Sequence, residues 1–131
     1  MKGFIGNIED ITKENENFRK VIYTAKYSQL VVMNLKPGEE IGAEVHQDHD
    51  QFFRFEKGKG KVTIDDNEYQ VEDDFAVIVP AGANHNVVNT GDEDLKLYTI
   101  YSPAEHRDGV VHAAKQEAIA DDEHFDGATT E

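Results

Sequence analysis

Short apolar runs separated by turn residues recur along the chain between residues 18 and 101. The runs are rich in β-branched, aromatic and aliphatic residues and are bounded by glycine, proline, asparagine or aspartate, which is typical of short β-strands. No helical period interrupts this pattern before residue 110. It predicts nine strands, over residues 18–24, 29–35, 44–46, 51–56, 61–64, 68–71, 75–79, 85–89 and 95–101.

Strands at such close and regular spacing favour an all-β sandwich or a closed jelly-roll barrel. The chain changes character after Pro103, and residues 112–120 contain several good helix formers. A length of 131 residues fits one domain. We therefore predict an N-terminal arm over 1–17, a β-barrel over 18–102, and a C-terminal tail over 103–131 that is extended or forms a short helix.

The charge of the chain narrows the range of partners. The 27 acidic and 13 basic residues give a net charge of −14, which argues against nucleic acid or an anionic membrane as a partner. The absence of cysteine excludes disulfides and thiolate metal ligands. We find no apolar run typical of a signal peptide or a membrane span, and we expect a cytoplasmic protein.

The candidate chemistry lies in two segments about thirty residues apart. Glu44 and His46 are two positions apart and share one face of a strand. Gln51 returns to that face only if residues 47–50 bulge or loop out. His85 begins a strand of its own, and all four side chains converge if both faces look into one barrel. Two imidazoles, a carboxylate and an amide suit a divalent metal.

Other side chains offer less direct alternatives. His46 and His49, with Asp48 or Asp50, form a second candidate metal site in the loop. We otherwise expect His49 to be exposed among acidic residues. The remaining histidines lie in the tail and are expected to be solvated; they are His106, His112 and His124.

Two motifs in this region resemble those of the cupin superfamily. The first is usually glycine, five residues, His-x-His, three or four residues, glutamate, six residues and glycine, and residues 44–51 with Gly58 correspond to it. The second is glycine, five residues, then Pro-x-Gly-x-x-His-x-x-x-Asn. Asp74 replaces its glycine, and the matching residues are Pro80, Gly82, His85 and Asn89. The resemblance covers residues 28 to 102 and implies a double-stranded β-helix.

The first motif departs from the family at three positions. Ile41 stands at the spacing of its first glycine, with Gly42 next to it. Glu44 stands where cupins usually have a histidine, and Gln51 stands where they usually have a glutamate. The resemblance implies that the metal ligands are Glu44, His46, Gln51 and His85. Such a set accepts Zn, Fe, Mn or Ni, so the identity of the divalent transition metal stays open.

The resemblance also implies a function. We expect a metal-dependent enzyme that acts on a small organic substrate, carbonyl or sugar-like, as an isomerase, lyase or dioxygenase. Glu44 is the candidate base where it is not a ligand, and Tyr98 or Tyr101 is the candidate hydroxyl donor. The alternatives are a non-catalytic module that binds or senses a small molecule, and a degenerate barrel without metal. We expect a homodimer, paired at the edges offered by the strand over 95–101 and the first residues.

Overall fold

The computed structural model describes all 131 residues. It contains ten strands and two short helices. In chain order they are α1 (Ile8–Glu14), β1 (Arg19–Thr24), β2 (Gln29–Leu35), β3 (Glu44–Val45), β4 (Asp50–Lys57), β5 (Lys59–Ile64), β6 (Asn67–Glu72), β7 (Ala76–Val79), β8 (Asn84–Asn89), β9 (Leu95–Ser102), β10 (Val111–His112) and α2 (Lys115–Ala120).

The strands form two antiparallel sheets. The six-stranded sheet has the order β10-β1-β2-β9-β4-β7, and the four-stranded sheet has the order β3-β8-β5-β6. Sequence-distant strands lie side by side, as in a jelly roll. The predicted all-β jelly-roll fold with a short C-terminal helix is confirmed, and each of the nine predicted strands begins and ends within two residues of its prediction.

The core lies between the two sheets because alternate residues of each strand point inward. Phe53 and Phe55 of β4 and Leu97 of β9 are fully buried from one sheet, and Val62 and Val87 are fully buried from the other. This alternation fixes which residues of β4, β8 and β9 face the interior. The same inward faces carry the polar residues of the candidate site at one end of the barrel.

Helix α1 was not predicted, and the expectation that no helix precedes residue 110 is wrong. The helix is only seven residues long, too short to show a clear 3.6-residue period. Its beginning is set by Asn7, whose side chain accepts a hydrogen bond from the Asp10 backbone N–H. Thr12 is its one buried residue.

Asn89 and Gly58, both part of the cupin-like motifs, are structural. The Asn89 Nδ2 donates to the carbonyls of Leu35 at 2.9 Å and Glu93 at 2.8 Å, and its Oδ1 accepts from the Gly91 N–H at 2.9 Å. Gly58 has φ +103°, and a Cβ there would lie 2.8 Å from the Asp94 carbonyl oxygen. Asn89 therefore holds the end of β8 against the neighbouring backbone, and Gly58 allows the tight turn between β4 and β5.

Three expectations about edges and the tail are corrected by the structure. Strand β9 is not an edge, because β2 and β4 pair with it on both sides. His106 and His112 are buried, at 7% and 4% exposure, because the tail folds back over the barrel and adds β10 to β1. His124 is exposed as expected. The two helices, of seven and six residues, are both too short to span a bilayer.

Candidate metal centre

The short strand β3 and the start of β8 bring two candidate ligands face to face. Glu44 lies directly opposite His85 in the antiparallel register, so both side chains point to the same side of the sheet. His46 follows β3, and its carbonyl accepts a 2.8 Å hydrogen bond from the Gly82 N–H. The His46 Nε2 lies 3.0 Å from the Glu44 Oε2, and candidate ligand atoms of all three residues lie within 4.8 Å of one another.

Gln51 reaches the interior from the opposite sheet. It is 3% exposed on β4, its Nε2 donates to the Thr99 Oγ1 at 3.0 Å, and its Oε1 has no hydrogen-bond partner. The buried Nδ1 of His85 also has none. Buried polar atoms are nearly always paired. The unpartnered amide oxygen of Gln51 and the buried ring of His85 therefore fit a cation in this part of the barrel.

The charges within this cluster are arranged around one ion pair. Burial raises the pKa of Glu44, but the hydrogen bond and charge of His46 outweigh it and lower that pKa overall. Burial lowers the pKa of His46, but the hydrogen bond that His46 donates to Glu44 and the charge of Glu44 outweigh it and raise that pKa overall. Burial and the nearby His46 lower the pKa of His85, which favours a neutral ring with a free lone pair.

A second cluster shares His46 and opens toward solvent. The Glu105 Oε2 lies 3.0 Å from the His49 Nε2 and 3.7 Å from the His46 Nδ1. The expectation that His49 is exposed is wrong, since its side chain is only 9% exposed. Its carboxylate neighbour is Glu105 of the tail, while Asp50 accepts a hydrogen bond from the Ala81 N–H. In the alternative metal site formed by His46 and His49, the carboxylate is therefore that of Glu105 and not that of Asp48 or Asp50.

Tyr101, and not Tyr98, lies near the candidate site. Tyr98 lies opposite Arg54 and Val32 on the outer face of the sheet, so it does not reach the candidate site. Tyr101 lies three residues later on the inner face and is 2% exposed. Its ring meets the His46 and His49 rings edge-on, at centroid distances of 5.9 and 5.7 Å. The odd spacing between the two tyrosines is the sequence signal for this difference.

The tail closes this end of the barrel through a chain of buried polar groups. The Tyr101 hydroxyl lies 3.3 Å from the His106 Nε2, and the His106 Nδ1 lies 2.7 Å from a Glu123 oxygen. The other oxygen of Glu123 accepts from the Arg107 N–H at 2.7 Å. Burial raises the pKa of Tyr101, which keeps the hydroxyl protonated. Burial also raises the pKa of Glu123, but these two hydrogen bonds outweigh it and lower that pKa to about 2.

Two openings reach these side chains. A cleft of about 470 Å³ between the loop after β3 and the tail is lined by His46, His49 and Glu105. A smaller cavity of about 180 Å³ lies beneath α2 and is lined by Glu44 and Arg19. The arrangement can hold a cation inside the barrel and admit a small molecule to it. Glu105 and Arg19 are the site residues that no sequence pattern indicated, whereas His49 and Tyr101 were named from the sequence only as alternatives.

Comparisons with known proteins agree with this architecture. A family model described as a cupin domain matches residues 31–101. YrkC of Bacillus subtilis is 46% identical over 125 residues, which cover 91% of this chain and 67% of YrkC. The crystal structure of BH2720 from Bacillus halodurans superposes with a TM-score of 0.90 at 43% identity, covering 92% of this chain and 96% of that one. KdgF from Halomonas shares the fold, with a TM-score of 0.63 at 21% identity, over 69% of this chain and 79% of KdgF.

Proposed function

The chain belongs to the cupin domain family, and on that premise we propose that it is a metal-dependent enzyme acting on a small organic substrate. One observation carries the proposal. Glu44, His46 and His85 gather their ligand atoms within 4.8 Å, and the buried Gln51 Oε1 and His85 Nδ1 have no partner in the protein. Cupin folds serve many chemistries, so the residues of this site rather than the fold support the assignment.

We propose that Glu44, His46, Gln51 and His85 hold a divalent transition metal. Zn, Fe, Mn and Ni all accept this donor set. When bound, such an ion supplies Lewis-acid polarisation of a carbonyl or hydroxyl oxygen, or redox chemistry where it is iron. The Thr99 hydroxyl orients Gln51 by accepting a hydrogen bond from its Nε2, and the amide Oε1 is then left to bind the ion.

The residues of the cleft then hold the substrate and move its proton. Burial lowers the pKa of His49, so its ring is neutral near pH 7 and able to accept a proton. Glu105, 3.0 Å away, stabilises the cation that results. The protonated hydroxyl of Tyr101 lies beside both histidine rings, where it can donate a hydrogen bond to a substrate oxygen. Isomerisation or elimination at a carbon next to a carbonyl fits these parts.

A second candidate function is a non-catalytic module that binds a small molecule. The Glu44–His46 ion pair favours it, because that pair satisfies two of the proposed ligands without any metal. Turnover separates the two functions. We expect a panel of small carbonyl compounds to include one that the protein converts, and conversion to stop with a chelator and return with one metal. Stabilisation by a compound without conversion would instead support the binding module.

His49→Ala and Asp122→Ala are the variants compared in this assay. His49 lines the cleft, whereas Asp122 lies outside the lining of the cleft and has a side chain that is 99% exposed. We expect the first variant to lose 100-fold or more of the rate, on the order of what general-base catalysis contributes, and the second to keep it. Equal rates in both would contradict the assigned role of His49.

A further inference from the structure

One arginine is buried without a carboxylate partner. Arg19 begins β1, is 7% exposed, and lies opposite the core residue Met33 in the sheet register. Its Nε has no hydrogen-bond partner. The arginine ion pairs of the molecule are both formed by Arg54, on the outer face of β4. A buried charge is costly unless it is paired, so an unpaired guanidinium inside an acidic protein calls for an anion.

No carboxylate forms an ion pair with Arg19, although the charge of Arg19 helps to lower the pKa values of Glu44 and Glu123. One Nη lies 3.5 Å from the His112 Nδ1, and the guanidinium carbon lies 5.4 Å from the centre of the Phe18 ring. The Nε2 of His112 lies 3.0 Å from an oxygen of Asp121. The ring can therefore donate to Asp121 and accept weakly from Arg19, which leaves most of the guanidinium fork free.

Arg19 lines a cavity that is also lined by Glu44, one of the proposed metal ligands. This cavity of about 180 Å³ lies under α2, with Arg19 and Lys115 as its cations and Glu44 as its acid. Glu44 directs its Oε2 toward His46. Apolar side chains form the rest of the wall, and their presence strengthens any charge pair made inside. A small anion that enters thus meets a guanidinium on one side and the proposed metal ligand on the other.

We propose that Arg19 binds the carboxylate of the substrate, and that the substrate is a small 2-oxo or 2-hydroxy carboxylic acid. The planar guanidinium matches a carboxylate through two parallel hydrogen bonds. The oxygen on the adjacent carbon then points toward the Glu44 side of the cavity. The contact between the substrate carboxylate and Arg19 depends on Arg19 alone. The contact between the adjacent oxygen and the metal rests on the proposed function.

Calorimetric titration with pyruvate tests the carboxylate contact. We expect the metal-loaded protein to bind pyruvate, and Arg19→Met to weaken that binding about 10- to 100-fold, the loss typical of a charge-assisted hydrogen bond. Arg19→Lys should recover part of the affinity. Arg54→Met, which removes an outer-face guanidinium, should bind as the wild type does. Pyruvamide, which is uncharged and of similar size, should bind weakly to every variant. Equal affinity of wild type and Arg19→Met, or no pyruvate binding at all, would overturn the inference.

Urea denaturation without ligand separates this role from a structural one. An arginine kept for a ligand is not needed for the fold, so Arg19→Met should be as stable as the wild type or more stable. A large loss of stability, or failure to fold, would assign Arg19 to the fold and overturn the inference.

The same titrations on metal-free protein distinguish this inference from the proposed function. Pyruvate binding that depends on Arg19 in a protein that takes up no metal would support the inference and refute the metal centre. Metal uptake with pyruvate binding that ignores Arg19 would overturn the inference and leave the metal centre standing.

Discussion

The buried pair of His106 and Glu123 anchors the tail over the candidate site, and we expect Glu123→Gln to weaken it in a pH-dependent way. The Glu123 side chain is 4% exposed and accepts hydrogen bonds from the His106 ring and the Arg107 N–H, both at 2.7 Å. Glutamine keeps the shape and one acceptor but loses the charge. The substitution therefore tests the charge of Glu123 rather than its packing.

The magnitude follows from the lowered pKa of Glu123. A fall from the ordinary 4.5 to about 2 in the folded protein corresponds to roughly 3 kcal/mol of stability at pH 7. Because the folded pKa is the lower one, the unfolded chain binds the proton more readily. The contribution is complete above about pH 5, falls to roughly 1 kcal/mol at pH 3, and is lost below about pH 2.

Urea denaturation of wild type and Glu123→Gln at pH 7 and pH 3 measures this difference. Asp122→Asn is the matched control, since it removes a neighbouring charge whose side chain is 99% exposed. We expect Glu123→Gln to lose roughly 2 to 3 kcal/mol at pH 7 and about 1 kcal/mol at pH 3, and Asp122→Asn to lose little at either. A loss of equal size at both pH values, or none at pH 7, would refute the reasoning.

Three further predictions concern the fold and the assembly. Asn89→Ala should cost about 2 to 4 kcal/mol in urea denaturation, because it leaves two carbonyls and one N–H unpaired near the end of β8; a loss below 1 kcal/mol would contradict this role. Gly58→Ala should cost about 1 to 3 kcal/mol, because Gly58 has a φ of +103° and the new Cβ would meet the Asp94 carbonyl. Gly109→Ala is the control, because Gly109 also has a positive φ but has open space around its Cβ, and we expect it to lose less stability. Equal losses in the two variants would show that the contact with the Asp94 carbonyl does not limit stability. The sequence predicts a homodimer, and we expect it to form at the edge strand β7, where Ile78 is 67% exposed. Light scattering should then give a dimer for the wild type and a monomer for Ile78→Lys. A dimer in both would exclude β7 as the interface.

The strands were predictable because their signal is local. Period-two alternation and turn residues mark each strand within a few neighbours, and the interior faces of β4 and β8 follow from it. The same alternation placed Glu44 and His46 together and gave His85 an inward face. The register between β3 and β8, which places Glu44 directly opposite His85, is the one feature of this pair that the alternation does not predict.

The other site residues were not predictable because no local pattern marks them. Glu105 reaches His49 only because the tail folds back across the mouth of the barrel, and nothing in the spacing of the two residues reports that contact. His106 was expected in solvent because its buried partner, Glu123, lies 17 residues further along the chain. Arg19 occupies an inward position that the alternation of β1 assigns, but a charge at such a position runs against the usual preference for burial.

The metal content of the purified protein tests the central claim most directly. Inductively coupled plasma mass spectrometry should find about one equivalent of a transition metal in the wild type and in the exposed control His124→Ala, and none in the double variant His46→Ala/His85→Ala. Iron would direct the search toward oxygenation, and zinc or nickel toward isomerase or lyase chemistry. No metal in the wild type, even after incubation with Zn, Fe, Mn and Ni, or equal metal in the double variant, would contradict the proposed centre.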